Sequence, residues 1–297
     1  MSDLPVLADL PPSYVVRSSE AGVCALHPSL AAALLEVGYG PETEGPLHET
    51  DLVGRRRLLE LRLAGERLVV RRFTHGGLLR WLTGTRFLDA ERPFREILLS
   101  ERLRAQGLPT PEVVAARARR RVAAGWTLEV VTRRVEGSID LGRALVEEAA
   151  LLQPPRITRV LAAAGALVRR MHAAGFFHAD LTPRNLLVER AALRSDGGDV
   201  RLWILDLDRS EFRAELGPVE RRRNLRRLFR HVARLCSEGH LRLSRGDFMR
   251  FARGYEPDRA ARKELWRRVQ RDHARRRAVH APGWVLERRF GAGSADS

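Results

Sequence analysis

Two short segments of the chain place polar side chains at spacings that suit phosphoryl transfer. His178, Asp180 and Asn185 form the pattern H-x-D-x-x-x-x-N just before an apolar run, and Asp206 closes a second apolar run. A carboxylate such as that of Asp180 can orient an attacking hydroxyl and accept its proton. The oxygens of Asn185 and Asp206 suit Mg²⁺, which prefers hard oxygen ligands. We therefore predict Asp180 as the base, Asn185 and Asp206 as metal ligands, and His178 as a brace for the loop backbone.

The complete pattern is that of the protein-kinase catalytic loop and its metal-binding aspartate, and it predicts ATP and Mg²⁺ as cofactors. Such a site also needs a basic residue on an upstream strand, which grips the nucleotide phosphates, and an acidic partner on the following helix. Because the single lysine, Lys263, lies far downstream, Arg71 is the candidate for the phosphate-gripping role. Glu96 is its predicted partner, with Glu91 and Glu101 as weaker alternatives.

A glycine-rich phosphate loop is the poorest part of the pattern. In the segment 51–57, which leads into the first predicted hairpin, Gly54 is the single glycine, and Arg55 and Arg56 follow it. A single glycine cannot cradle phosphates as a glycine-rich turn does, although the arginines could supply charge. Gly54 and Arg55 are therefore candidate nucleotide contacts, and an ordinary loop is the alternative.

The elements that must position these residues form a strand-rich first part and a helix-rich second part. Strand patterns at 57–63 and 67–73 flank a turn at 64–65 and predict a hairpin. Helix patterns cover 92–106 and 156–174, and Leu161, Leu167, Val168 and Met171 share one face of the second. The expected class is α+β, a two-lobed protein-kinase-like fold with a β-rich N-lobe and a mainly α-helical C-lobe.

Composition and pattern together give the expected domain organisation. The 297 residues are 44% hydrophobic and 30% charged, which excludes global disorder, and two distant cysteines exclude a disulfide-rich class. The chain shows neither a membrane-spanning run nor a signal-peptide pattern, so a cytoplasmic location is expected. The predicted parts are an N-terminal extension (1–45), an N-lobe (46–135), a C-lobe (136–290) and a disordered tail (291–297).

Several segments resemble the bacterial lipopolysaccharide kinases, the group of the 3-deoxy-D-manno-octulosonic acid (Kdo) kinase and the core heptose kinases. They are 68–78 with its Gly-Gly-Leu turn, 95–99, 107–113, 178–188, and 206–209, where Asp208 replaces the glycine that is usual in protein kinases. The resemblance covers about residues 50–235 and is nearest to the Kdo kinases. It departs at His75, where a basic residue is expected, and at the glycine loop. It implies that the γ-phosphoryl group of ATP is transferred to a sugar hydroxyl of the lipopolysaccharide core or lipid A precursor. Separately, we expect Asp208 to help place metal or acceptor.

Positive charge is concentrated in the last third of the chain. The formal net charge is +16: residues 1–210 carry +4, residues 211–290 carry +13 and residues 291–297 carry −1. Together with the resemblance, this charge distribution predicts an anionic membrane surface as a partner. The protein would lie peripherally on the cytoplasmic face of the inner membrane and contact it through the helix that contains Arg221, Arg222 and Arg223. The stretch 78–88 is a second candidate contact, with core packing as its alternative. A solvated helical surface is the other interpretation of the charge.

Two other kinds of function stay open from the sequence alone. The chain could phosphorylate heptose, another small molecule or a protein. It could be a pseudokinase that binds anionic glycolipid without catalysis, which the poor glycine loop favours. A nucleic-acid binder is not expected, since no motif or aromatic–basic platform accompanies the charge.

Overall fold

The structure is a computed structural model. It describes residues 4–53, 57–74, 87–121, 125–241, 243–268 and 271. The strands are β1 (Val15–Ser19), β2 (Gly22–Leu26), β3 (His48–Val53), β4 (Arg57–Leu63), β5 (Glu66–Arg72), β6 (Val113–Arg120), β7 (Trp126–Arg133), β8 (Ser138–Asp140), β9 (Phe176–Phe177), β10 (Leu186–Glu189), β11 (Leu202–Ile204) and β12 (Glu211–Phe212). The α-helices are α1 (Ala31–Glu36), α2 (Arg92–Ala105), α3 (Leu141–Glu147), α4 (Arg156–Ala173), α5 (Arg190–Arg194), α6 (Pro218–Ser237) and α7 (Arg245–Tyr255). Two 3-10 helices cover Pro5–Asp9 and Pro183–Asn185, and residues 259–268 are also helical.

The chain forms two compact units. The first runs to Ser138 and takes in Trp203–Phe212, and the second contains Ile139–Leu202 and resumes at Arg213. The first is built on a seven-stranded sheet, and the second is mainly helical within the residues described. The α+β class is confirmed. The predicted lobe boundary lies after residue 135, and the two units divide three residues later, after Ser138.

The sheet of the first unit is antiparallel throughout, in the order β1-β2-β6-β7-β5-β4-β3. The prediction set residues 1–45 apart as an extension. In the structure this segment supplies β1 and β2, and β2 pairs with β6 along its whole length. All five residues of β2 are buried, so the segment is part of the core of the first unit.

The β4–β5 hairpin confirms the turn predicted at 64–65. Leu63 faces Glu66 across a two-residue loop, and Ala64 and Gly65 have φ values of 50° and 79°. Two successive positive φ values define a type I′ turn, whose twist matches that of the flanking strands. The hairpin fixes the register of β5, which carries Arg71 in the strand next to β7.

Side chains alternate between the two faces of the sheet, and each face has its own core. Phe94 and Ile97 of α2 pack with Ala116 and Val130 on one face, whereas α1 packs on the other face with Val131 and its neighbours. Alternation follows from the period of two in a strand. The helix predicted over 92–106 is confirmed as α2, and Gly107 follows it at φ 69°. These contacts hold α2 against β6 and β7, and β7 is the neighbour of the strand that carries Arg71.

Helix α4 is the centre of the second unit. Its predicted inner face is confirmed, because Leu161, Leu167, Val168 and Met171 are all buried. Two glycines let α4 and α7 approach closely: a Cβ on Gly165 would clash with the carbonyl oxygen of Phe251, and a Cβ on Gly254 with that of Ala162. No described helix is long and apolar enough to span a membrane.

Candidate active site

Arg71 is the centre of a charged group in the first unit. One terminal nitrogen, Nη2, donates to Glu96 Oε1 of α2, and the other, Nη1, lies 3.3 Å from Asp206 Oδ1. The guanidinium also lies 4.5 Å from the centre of the Phe73 ring, a cation–π distance. The structure therefore brings together three of the residues singled out in the sequence: Arg71, Glu96 and Asp206.

Burial and ion pairing act on this group in opposite directions. Burial disfavours the charged form of Arg71, but Glu96 and Asp206 outweigh it and raise the pKa of the guanidinium. Burial raises the pKa of the Glu96 carboxyl, and the Arg71 guanidinium opposes that rise. Arg71 thus stays positive, as a residue that holds phosphate oxygens must.

The backbone around Asp206 is held in an uncommon conformation. Asp206 has φ 54°, in the left-handed region that few residues other than glycine adopt. Two residues earlier, Ile204 is held by two hydrogen bonds, since its N donates to Pro109 O at 2.9 Å and its O accepts from Thr110 Oγ1 at 2.8 Å. Strain of this kind costs about 1–3 kcal/mol and gathers at functional sites.

Asp208 is engaged by Arg92, the first residue of α2. Arg92 donates to both carboxylate oxygens, with Nε 3.0 Å from Oδ1 and Nη2 bonded to Oδ2. The same guanidinium lies 4.7 Å from the Phe87 ring centre and 5.2 Å from that of Phe73. Asp208, expected to help place metal or acceptor, here holds the turn after Asp206 to α2. Sequence reasoning missed Arg92, although its place at the helix start was visible.

The loop that carries Asp180 belongs to the second unit and is held from within. His178 is buried, and its Nδ1 accepts from the backbone N–H of Asp180 at 3.1 Å. Asn185 Nδ2 donates to the backbone oxygen of Asp180 at 2.7 Å. These bonds give His178 the bracing role predicted for it. With its nitrogen engaged, Asn185 can offer its amide oxygen to a metal.

Helix α6 fixes this loop through Asn224. The buried Asn224 amide accepts from His178 N at 3.2 Å and donates to His178 O at 2.8 Å. One turn later, Arg227 Nε lies 2.6 Å from Asp180 Oδ1. Sequence reasoning assigned neither Asn224 nor Arg227 a role at the site, because the arginine-rich pattern of α6 indicated only a charged surface.

A buried histidine ties three helices of the second unit together. His172 of α4 has Nε2 3.2 Å from Asn224 Oδ1 and Nδ1 2.9 Å from the Tyr255 hydroxyl of α7. Because Asn224 Oδ1 can only accept, we assign the proton to Nε2, and Tyr255 then donates to Nδ1. Burial lowers the pKa of His172 to about 4. The imidazole is therefore neutral at neutral pH.

The oxygen donors predicted for magnesium fit that ion in type. Asp206 offers a carboxylate with a third of its side chain exposed, and Asn185 offers an amide oxygen. Among the described residues, no group of three or more His, Cys, Asp or Glu side chains could hold a metal by itself. Gly54 and Arg55, the other predicted nucleotide contacts, lie outside the described residues, as do His75 and all but the end of the stretch 78–88.

The chain has relatives of described function. Residues 55–255 match the Lipopolysaccharide kinase (Kdo/WaaP) family. The chain is 28% identical over 199 residues to the 3-deoxy-D-manno-octulosonic acid kinase of Actinobacillus succinogenes, which covers 65% of this chain and 77% of that protein. It is 32% identical over 193 residues to the enzyme of the same name from Stenotrophomonas maltophilia (strain K279a), covering 63% of this chain and 70% of that protein.

A solved structure described as WaaP in complex with acyl carrier protein is similar over most of its length. It covers 90% of this chain and 92% of that chain, with 20% sequence identity and a TM-score of 0.49.

Proposed function

The chain belongs to the lipopolysaccharide kinase (Kdo/WaaP) family, and from that premise we propose that it transfers the γ-phosphoryl group of ATP to a hydroxyl of Kdo. The acceptor is the Kdo of the lipopolysaccharide inner core or of a lipid A precursor. Membership confirms the resemblance drawn from the sequence, and with it an enzyme that phosphorylates a sugar hydroxyl. The names of the similar A. succinogenes and S. maltophilia proteins support Kdo as the sugar.

The observation that carries the proposal is the charged group around Arg71. A guanidinium held by Glu96 is preorganised to bind nucleotide phosphates, and the Asp206 carboxylate beside it is a ligand for the metal that accompanies them. In this proposal Arg71 holds phosphate oxygens and Glu96 holds Arg71. Asn185 and Asp206 would hold Mg²⁺, which supplies charge neutralisation on the phosphates when bound.

Asp180 acts on the acceptor in the proposed reaction. Its carboxylate orients the sugar hydroxyl and takes its proton as the oxygen bonds to the γ-phosphorus. The bond from that phosphorus to the bridging oxygen breaks, and ADP leaves with the electron pair. The hydrogen bonds of His178 and Asn185 to the Asp180 backbone keep the carboxylate in place during the transfer.

Phosphate transfer to a defined acceptor tests the proposal. Purified protein, Mg·ATP and a Kdo-bearing lipid A precursor should give a product with one added phosphate on Kdo, located by mass spectrometry. Asp180→Asn should lower turnover about 10²- to 10⁴-fold while ATP binding is retained, because only the acceptor-side group is lost. Asp196→Asn, which changes an exposed aspartate paired with Arg156, is the matched control and should keep wild-type turnover.

Each other result excludes the proposal. Phosphate on a heptose and none on Kdo would assign the sugar differently. ATP binding with no transfer to any acceptor would favour a pseudokinase. Wild-type turnover by Asp180→Asn would remove Asp180 from the reaction.

A further inference from the structure

Helix α6 carries a continuous stripe of arginines. It contains seven arginines and one acidic residue. Four of these arginines follow one another at spacings of four, three and four residues, which places them within about 60° of arc on the helix. The arginine stripe is defined as Arg223, Arg227, Arg230 and Arg234. The stripe borders the buried face of α6, which includes Asn224 and Leu228.

The stripe meets the acceptor-side carboxylate at Arg227. Asn224 bonds to both backbone groups of His178 and so fixes the register of α6 against the loop. That register brings Arg227 Nε within 2.6 Å of Asp180 Oδ1. The contact is thus set by a buried hydrogen-bond pair, which distinguishes it from a casual surface ion pair.

The Arg227 guanidinium is only partly used by Asp180. Among the described residues, the structure gives it no ion pair other than this one, made through Nε. Its side chain is 41% exposed, and Arg230, on the next turn, is exposed as well. Because a guanidinium offers five N–H donors in a rigid plane, the terminal nitrogens can bind a second anion while Nε holds Asp180.

The surroundings of Arg227 favour an anion. His231, one turn further along α6, has a lowered pKa, through burial first and then through the positive charges of Arg234 and Arg184. Its buried Nε2 has no hydrogen-bond partner among the described residues. Among the four arginines of the stripe, the described structure pairs Arg227 with Asp180 and Arg234 with Glu238, so positive charge exceeds the paired negative charge along this face.

We propose that Arg227 is a specificity-determining residue that binds the carboxylate of an acidic acceptor sugar and so places its hydroxyl beside Asp180. The inference rests on the proposed function, since it takes Asp180 as the group that orients the acceptor. A guanidinium shared between the base and the substrate carboxylate couples recognition of the acid to the position of the reacting hydroxyl. A neutral sugar would lack this charged contact, would leave the terminal nitrogens of Arg227 to water, and would be used poorly.

The experiment compares two acceptors in wild type and three variants. The acceptors are a Kdo-bearing lipid A precursor and the same molecule with its Kdo carboxyl group reduced to an alcohol. Arg227→Gln removes the charge, and Arg227→Lys keeps the charge but loses the fork. Arg253→Gln, at an exposed position of α7, is the matched control for loss of one arginine. Steady-state kinetics and acceptor binding without ATP are measured for each, and thermal unfolding checks the fold.

We expect the effect of substituting Arg227 to depend on whether the acceptor retains its Kdo carboxyl group. Arg227→Gln should lower kcat/KM for the intact acceptor about 10- to 100-fold, chiefly through KM, and weaken binding by a similar factor. On the reduced acceptor, Arg227→Gln and wild type should be equally poor. Arg227→Lys should recover part of the loss, and Arg253→Gln should behave as wild type on both acceptors.

The contrary outcomes are distinct. An equal fall of kcat on both acceptors with unchanged KM would make Arg227 a positioning residue for Asp180 and overturn the inference. A loss that follows removal of the lipid A phosphates, with no effect of carboxyl reduction, would also overturn it. Arg227-dependent binding of the intact acceptor without phosphate transfer would support the inference while the proposed function fails, and absence of both would remove both.

Discussion

At the scale of single residues, Arg71 contacts two carboxylates through two different nitrogens of its guanidinium. Nη2 bonds to Glu96 and Nη1 faces Asp206. One ammonium group cannot reproduce this planar arrangement, but it can supply the charge. A lysine at position 71 would therefore still attract the phosphates. It would not hold Asp206 in the same place.

Substitution of Arg71 separates these two contributions. Arg71→Lys should retain appreciable activity, whereas Arg71→Ala should raise the KM for ATP and lower kcat, because no cation remains on the phosphates. Steady-state kinetics with varied ATP measure both. Arg62→Ala, at a largely exposed arginine of β4, is the control. Unchanged ATP kinetics in Arg71→Ala would take Arg71 out of the nucleotide site.

Asp206 and Asp180 should respond differently to the same chemical change. Asp206→Asn removes a formal charge from the proposed metal ligands and should weaken Mg·ATP binding as well as turnover. Asp180→Asn should spare that binding. Isothermal titration with a non-hydrolysable ATP analogue in Mg²⁺ distinguishes the two. Equal nucleotide binding by Asp206→Asn and wild type would contradict the metal-ligand role.

At the scale of elements, α2 is connected to the Asp206 turn directly through Arg92 and indirectly through Glu96. Arg92 and Glu96 are one turn apart; Arg92 binds Asp208, and Glu96 binds Arg71, which faces Asp206. A small movement of α2 would therefore alter both contacts. We interpret the Arg92–Asp208 pair as the link that sets α2 and the turn in one arrangement.

A double-mutant cycle on Arg92 and Asp208 tests this link. Because the pair is bidentate and largely buried, Arg92→Ala and Asp208→Ala should each lower kcat/KM. The fold-decrease in the double variant should be far smaller than the product of the two single fold-decreases. The coupling in the free energy of unfolding should be about 1.5–3 kcal/mol. Chemical denaturation and kinetics measure the two quantities. Strict additivity in both would show that the pair does not act as a link.

The helices of the second unit should loosen as pH falls, because His172 lies between α4, α6 and α7. Its pKa is lowered to about 4 in the fold from an ordinary 6.5, through burial, with Arg221 and His178 opposing the charge further and Asn224 favouring it. The unfolded chain therefore binds more protons between these values. The contribution of neutral His172 to the free energy of unfolding is therefore fully present above pH 6.5. It falls by about 3 kcal/mol as the pH decreases to 4.

Denaturant unfolding across this pH range measures the decline. His172→Gln keeps two hydrogen-bonding groups and removes the titration, so its stability should depend less on pH between 4 and 6.5. An identical pH dependence in His172→Gln and wild type would assign the effect to other groups.

The local elements could be predicted from the sequence, whereas their ionic contacts could not. The β4–β5 turn and the inner face of α4 follow from short-range patterns of apolar residues and turn formers. Arg117 shows the limit: it lies in a run of small and basic residues, yet it is 1% exposed and bonds to Glu129 and Gly40. With 53 lysines and arginines against 37 acids, sequence alone does not tell which arginine meets which carboxylate.

At the scale of the whole molecule, the positive charge of the last third favours an anionic surface. We predict peripheral membrane binding that is sensitive to salt, since each basic residue near such a surface contributes about 1 kcal/mol and the attraction fades over about 8–10 Å. Within α6, Arg222 is suited to the test, because Arg221 donates to Leu216 O and Arg223 lies over the Phe177 ring.

Flotation with anionic and neutral vesicles at low and high salt measures this binding. Arg222→Glu should weaken association with anionic vesicles without altering ATP affinity. Arg17→Glu, an equal charge reversal at an exposed position of β1, should have a smaller effect if the last third makes the contact. Equal binding to neutral and anionic vesicles, or none at low salt, would show the charge to be solvated surface.

The first unit is discontinuous along the chain, since Trp203–Phe212 rejoins it after Ile139–Leu202. A nascent chain leaving the ribosome therefore exposes Arg71 and Glu96 long before Asp206 exists. Pro109 and Thr110 likewise cannot form their hydrogen bonds until Ile204 has been synthesised. Because domains tend to fold as they emerge, translation completes this one late. A fragment that stops at Ser138 would end before the strand and turn that finish its charged centre.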